Sequence, residues 1–392
     1  MTKPIIFAGL LVFSMGQTVL FALMGPVARD IGLAEWQVGA IISSAAIVFV
    51  FISPIWGKIS DRWGRKNVIV TGLFGYAAAT FLFAGLLQIG LRGFIGASVT
   101  FGLLLASRLL YSLLSGGIQP AAVALMADLT DNEDRSAGIA AIGAAFGLGS
   151  VLGPALAAGL VGFGILVPLI FAAAMAMLIA LIAIPVVKEP VKSDDGSDNG
   201  DVKLDPKAIA PFLLLSFGIF VAISTLQQTT SFYVQDFTGT ESQEAARLAG
   251  FAFMALAIAM LIVQGAIVQI MKPKPPLMLG LGLPIAAIGV VVYLTAPSFA
   301  LLISGFAIMG AGFGLVQPGI SAYVSLQTGA EQQGAAAGYV QAAMAGGFVI
   351  GPLAGTALYG YSPSAPLTLA LSATVICLLL FVYLHFKSKR EK

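Results

Sequence analysis

Apolar runs of about twenty residues recur along the chain, at 5–27, 37–56, 67–88, 95–127, 136–160, 163–187, 209–234, 246–270, 277–296, 299–324, 334–360 and 365–386. A helix needs about 20 mostly apolar residues to cross the hydrocarbon layer, where every backbone N–H and C=O must find its partner inside the segment. That repetition leaves one fold class, an all-α integral membrane protein with twelve transmembrane helices in the lipid bilayer. Only 10% of the residues are charged, against about 25% in a soluble domain, and they gather in the gaps between runs. The first run reaches Met24, too long for a signal-peptide core and without a cleavage site, so it reads as a retained first span. The single cysteine, Cys377, excludes an internal disulfide and reads as an apolar filler.

Charge placement orients the spans. With both termini in the cytoplasm, 16 of the 20 basic residues fall on the cytoplasmic side; three (Arg29, Arg92 and Arg247) fall outside, and Arg108 remains within a span. Short cytoplasmic loops carry this excess of Lys and Arg, and one span more or fewer would scramble it. No basic stripe exists away from the loops and the net charge is only +2, so a nucleic-acid partner is not indicated. Between the sixth and seventh runs, residues 188–208 are acidic, rich in Gly, Ser and Asn and nearly free of apolar side chains. Such a stretch buries too little surface to fold and reads as a flexible cytoplasmic linker. The expected organisation is thus an N-terminal bundle at 1–187, the linker, and a C-terminal bundle at 209–392.

The two halves read as copies. Gly116, Gln119, Pro120, Gly149, Gly153 and Pro154 each meet the same residue type 198 positions later, at Gly314, Gln317, Pro318, Gly347, Gly351 and Pro352. One offset holds across two consecutive runs, so spans four and five match ten and eleven. Parallel internal repeats of this kind are a transporter architecture.

The loop between spans two and three, residues 57–66, reads Gly-Lys-Ile-Ser-Asp-Arg-Trp-Gly-Arg-Lys. In residue types, spacing and position it resembles the signature loop of the major facilitator superfamily. The resemblance implies two pseudo-symmetric six-helix bundles and a gating role for Gly57, Asp61, Arg62, Gly64 and Arg65. Asp61 would meet the N-terminus of span eleven, around residues 333–337, where the backbone dipole favours an anion. Arg65 would pair with Asp128, and the two glycines would permit close helix approach and a tight turn. A weaker echo at residues 265–276 keeps Lys272 and Lys274 but lacks the acid.

Arg108 lies in the middle of the fourth run, where a charge costs at least about 2.5–3.5 kcal/mol and therefore faces a cavity or a partner. Three- and four-residue steps place Ser112, Ser115 and Gln119 on nearly the same face, with Tyr111 beside them. The segment resembles the family's arginine-bearing motif of helix 4, which implies proton coupling; the plain alternative is a guanidinium bonded to helix carbonyls or to Gln17. Gly149, Gly153 and Pro154 resemble the Gly-Pro motif of helix 5 that marks antiporters, although Ala157 and Ala158 stand where that motif continues with a glycine pair. The seventh run is polar for a span. Its Gln227 and Gln228, with Gln17, Gln317 and Ser321 and the hydroxyls of Ser14, Thr18, Ser224 and Thr225, are the expected lining of a central substrate cavity.

None of the 18 acids falls inside a span. There is no metal-ligand cluster, no phosphate-binding loop and no nucleophile–base pair, so neither a metal, a cofactor nor an enzyme is expected. The reading is a secondary transporter similar to the drug/proton antiporter branch: a monomeric exporter of small organic molecules in a bacterial plasma membrane, driven by protons through alternating access. An alternative substrate is an anionic metabolite or carboxylate siderophore that would neutralise Arg108. The alternative from another class is a non-transporting receptor, which predicts no flux.

Overall fold

The computed structural model describes residues 2–130, 135–187, 189, 206–328 and 332–390. Twelve helices in it are long and apolar enough to cross a membrane. They are α1 (Thr2–Ile31), α2 (Glu35–Trp63), α3 (Arg65–Leu91), α4 (Ala97–Asp128), α5 (Arg135–Leu160), α6 (Val167–Val186), α7 (Pro206–Thr238), α8 (Ser242–Met271), α9 (Pro275–Leu294), α10 (Phe299–Gln327), α11 (Gln333–Tyr359) and α12 (Ala365–Arg390). No strand occurs among the described residues.

By packing, the chain forms two compact units, Met1–Asp194 with Thr230–Phe251, and Asp195–Thr229 with Ala252–Lys392. The sequence placed all of α7 and α8 in the second bundle; here the end of α7 and the start of α8 pack with the first. The expected linker lies outside the described residues apart from Glu189 and the first residues of α7.

The repeated Gly-Pro segments have the same structural job in each unit. In the first, α1 closes on α5 because Gly149 and Gly153 carry no side chain; a Cβ on Gly149 would stand 2.5 Å from the Leu11 carbonyl oxygen. The approach lets Ser14 Oγ donate to the Phe146 carbonyl at 2.8 Å. In the second, α7 closes on α11 over Gly347 and Gly351, and Ser224 Oγ and Thr225 Oγ1 donate to the carbonyls of those two glycines at 2.9 and 3.1 Å. Small residues let backbones meet where no water-driven force draws helices together, and hydroxyl-to-carbonyl bonds then add to the contact. These hydroxyls, expected to line a cavity, are instead spent on holding helices together. Thr18 Oγ1 donates to the Met15 carbonyl of its own helix at 3.0 Å and reaches the Gly149 carbonyl of α5 at 3.4 Å.

The other repeat pair diverges. The fourth run was expected as one helix, but α4 breaks at Gly116 and Gly117 into Ala97–Ser115 and Ile118–Asp128. Pro120 has no N–H to give the Gly116 carbonyl, and Ser53 Oγ of α2 takes that acceptor at 2.9 Å. Trp56 Nε1 donates to the Leu113 carbonyl one turn earlier, at 2.7 Å. Its copy, α10, carries Pro318 without a break. The last part of α8, Val263–Met271, winds as a π-helix and stops at Lys272, whose φ of 44° is left-handed. Cys377 is a core filler, with Sγ 3.7 Å from the Leu215 carbonyl.

Candidate functional site

Arg108 is buried in the first unit, with 8% of its surface exposed. Its one hydrogen bond among the described residues runs from Nη2 to Gln17 Oε1 of α1, at 3.4 Å. Its Nε has no partner. The guanidinium carbon sits 4.2 Å from the Tyr111 ring centroid and 5.7 Å from that of Phe83 on α3, a cation–π arrangement. Tyr76 of α3 stands edge-on to Tyr111 at 5.8 Å, and Phe13 of α1 stacks on Tyr111 at 6.4 Å. Both tyrosine hydroxyls are buried without a hydrogen-bond partner. No carboxylate lies within ion-pair distance of Arg108 among the described residues.

The stripe expected along α4 is only partly assembled. Tyr111 touches the guanidinium directly. Ser112 is buried with it, but its hydroxyl donates to the Ala45 carbonyl of α2 at 3.0 Å and to the Arg108 carbonyl at 3.1 Å. Ser115 donates to the Tyr111 carbonyl at 2.6 Å. Gln119 lies beyond the interruption of α4 at Gly116 and Gly117 and is exposed.

At the loop between α2 and α3, Gly64 has a φ of 97°, a conformation that favours glycine. Arg65 Nε lies 3.0 Å from Asp128 Oδ2, and its Nη2 lies 3.7 Å from Asp61 Oδ1. Arg62 is exposed. The close approach expected at Gly57 is not found: a Cβ there would meet nothing within 4 Å, since the helix face it occupies is open. A group that the sequence did not single out completes this corner. The Glu189 carboxylate accepts from the backbone N–H groups of Arg65 and Lys66 at 2.6 and 2.9 Å, so an anion caps the N-terminus of α3. The acid stands two residues after Val187, the last apolar residue of the sixth run, the only signal it gave.

In the second unit, Gln317 and Ser321 of α10 share a cavity of about 330 Å³ with Gln333 and Gln341 of α11. Gln228 of α7 is fully buried, and neither its amide oxygen nor its nitrogen has a partner; Gln227 Oε1 is likewise unmatched. In α5, Gly153 and Pro154 are buried, and Gly250 of α8 comes so close that a Cβ there would lie 2.9 Å from the Pro154 carbonyl oxygen.

At the far end of the first unit, Arg29 grips Asp236 with both terminal nitrogens, the Nη2–Oδ2 bond being 2.9 Å, and reaches Glu35 Oε1 at 3.3 Å. Beside it, Asp30, Gln235, Glu241, Ser242 and Gln243 line a cavity of about 450 Å³, in which Ser242 Oγ donates to Asp30 Oδ1 at 2.7 Å. Arg29 and Asp236 are 207 positions apart, so no local pattern announced them.

Twelve spans, an internal repeat carried into the packing, polar groups buried in both units and a charged loop after the second span define a membrane transporter. The Major Facilitator Superfamily profile matches residues 6–297 and 278–392, and the chain belongs to that family, whose members move small molecules across membranes and are not enzymes. It is 27% identical over 387 residues to Multidrug resistance protein 1 of Bacillus subtilis (strain 168), covering 93% of this chain and 91% of that protein. It is 23% identical over 381 residues to the Quinolone resistance protein NorA of Staphylococcus aureus (strain Mu50 / ATCC 700699), covering 95% and 93%. A crystal structure of a bacterial homologue of the human lysosomal transporter Spinster, inward-facing and occupied, shares the fold with a TM-score of 0.73 at 16% identity, covering 99% of this chain and 96% of that one.

Proposed function

We propose that the chain is a proton-coupled exporter of small organic, drug-like molecules that works by alternating access in a bacterial plasma membrane. The observation that carries this reading is its full-length similarity to proteins named for drug resistance. The paired Gly-Pro contacts of α5 and α11 support it, because each half keeps the same tight helix seam. In this reading both termini and the loop at residues 57–66 are cytoplasmic, and the protein acts as a monomer whose two six-helix repeats along the chain are 1–187 and 209–392, joined by residues 188–208. The ion pair of Arg65 with Asp128, the carboxylate of Asp61 and the turn at Gly64 serve the cytoplasmic gate. Within the first bundle, Arg108 and Gln17 contact substrate.

The test is transport by the purified protein in liposomes under an imposed pH gradient. A cationic dye (ethidium), a neutral one (Nile red) and an anionic one (carboxyfluorescein) are followed beside an internal pH indicator. The expected result is gradient-driven accumulation of at least one dye with proton movement in the opposite sense. Flux of none overturns the exporter reading and favours a non-transporting receptor; flux indifferent to the pH gradient overturns the proton coupling alone.

A further inference from the structure

The first unit holds a permanent cation that no carboxylate among the described residues neutralises. A guanidinium does not deprotonate in proteins and presents five N–H donors. Arg108 engages one of them, in a 3.4 Å bond to a neutral amide, and its buried Nε has no acceptor. The faces of Tyr111 and Phe83 occupy the space beside it but supply neither a negative charge nor an acceptor for Nε. The hydroxyls of Tyr76 and Tyr111, two further donors, are also buried without partners. Unpaired donors beside one buried positive charge suit a hydrogen-bond acceptor that carries negative charge.

We propose that Arg108 binds an anionic group of the transported molecule, a carboxylate, sulfonate or phosphate held by the guanidinium. This rests on the exporter reading and names the substrate class of its first-unit site. A planar oxyanion suits the guanidinium because it accepts two parallel N–H bonds, each strengthened by charge. The Tyr111 and Phe83 rings suit an aryl or otherwise apolar body next to that group. Binding removes the cost of an uncompensated buried charge, so selectivity follows from the protein: a neutral or cationic analogue leaves Arg108 unpaired.

The test uses one ring system with three charges, pyrenesulfonate, pyrenemethanol and pyrenemethylammonium, in liposomes carrying the full-length protein. The expected result is uptake of the sulfonate in preference to the other two, reduced at least about thirty-fold in Arg108→Gln and partly kept in Arg108→Lys. Transport of the alcohol or the amine without the sulfonate overturns the inference and leaves the exporter reading intact. Transport of none overturns both. Equal sulfonate uptake by Arg108→Gln also overturns it. Should Arg108→Gln fail to fold, thermal unfolding of the wild-type protein decides: stabilisation by pyrenesulfonate and not by pyrenemethanol supports the site, and equal stabilisation sinks it. If phosphatidylglycerol but not pyrenesulfonate stabilises the wild type, the anion is a lipid headgroup and the substrate assignment falls.

Discussion

Two arginines of the first unit have been given opposite surroundings. Arg29, at the far end of α1, is a quarter exposed; it holds the Asp236 carboxylate two-fold and reaches Glu35, with its guanidinium 5.1 Å from the centroid of the Phe232 ring. Arg108, in mid-span, has a ring face of the same kind but only a neutral amide to bond. The more exposed charge, which water would have solvated cheaply, has two carboxylates; the buried one, for which solvation is dear, has none among the described residues. A fold selected for stability alone would distribute its acids the other way. The asymmetry separates an arginine that fastens helix ends from one kept ready for something else.

Four substitutions would break or sharpen that contrast. The largest effect belongs to Arg108→Ala, which should lower uptake of an anionic probe about a hundred-fold, read by liposome flux. Next, Gln17→Glu places a carboxylate where the amide oxygen now lies 3.4 Å from Arg108 Nη2. It makes Arg108 resemble Arg29. Thermal unfolding should show a gain of about 1.5–3 kcal/mol from the charged bond, while anionic-probe uptake falls about ten-fold because the site is filled from within. An unchanged melting temperature there would mean that Arg108 was already neutralised.

The remaining two grade the effect by exposure. Asp236→Asn leaves Arg29 with Glu35 and should cost roughly 0.5–1 kcal/mol, discounted for solvent screening, with the loss shrinking at high salt. Arg247→Gln removes an exposed pair with Glu244 three residues away and should change stability by no more than about 0.5 kcal/mol. A loss at Arg247 as large as that at Asp236 would show that exposure is not what ranks these arginines.

The turn at the loop between α2 and α3 shows how far a local pattern reaches. Gly64 was legible because it sits at a fixed place in a short charged loop, whereas the pairing of Arg65 with Asp128, at the far end of α4, was expected only through the resemblance of that loop to a family signature. The close approach at Gly57 was not there to find, since a glycine written next to a loop says nothing about whether a second helix passes by. Glu189 escaped notice because it reaches the N-terminus of α3 from 123 positions away.

The amino-acid order by itself determined the twelve spans, the repeat at offset 198 and the isolation of one cation within an apolar run. All three are matters of spacing along a chain that must satisfy its backbone in hydrocarbon. Tertiary structure alone decided the rest. It turned the hydroxyls of Ser14, Ser224 and Thr225 onto carbonyls across glycine seams, broke α4 where Ser53 could take the acceptor Pro120 leaves free, and brought Tyr76 beside Tyr111 next to Arg108. The reason is physical: a polar side chain in a span bonds whichever acceptor lies within about 3 Å, and which acceptor that is depends on how closely two helices pack, a distance that no single helix encodes.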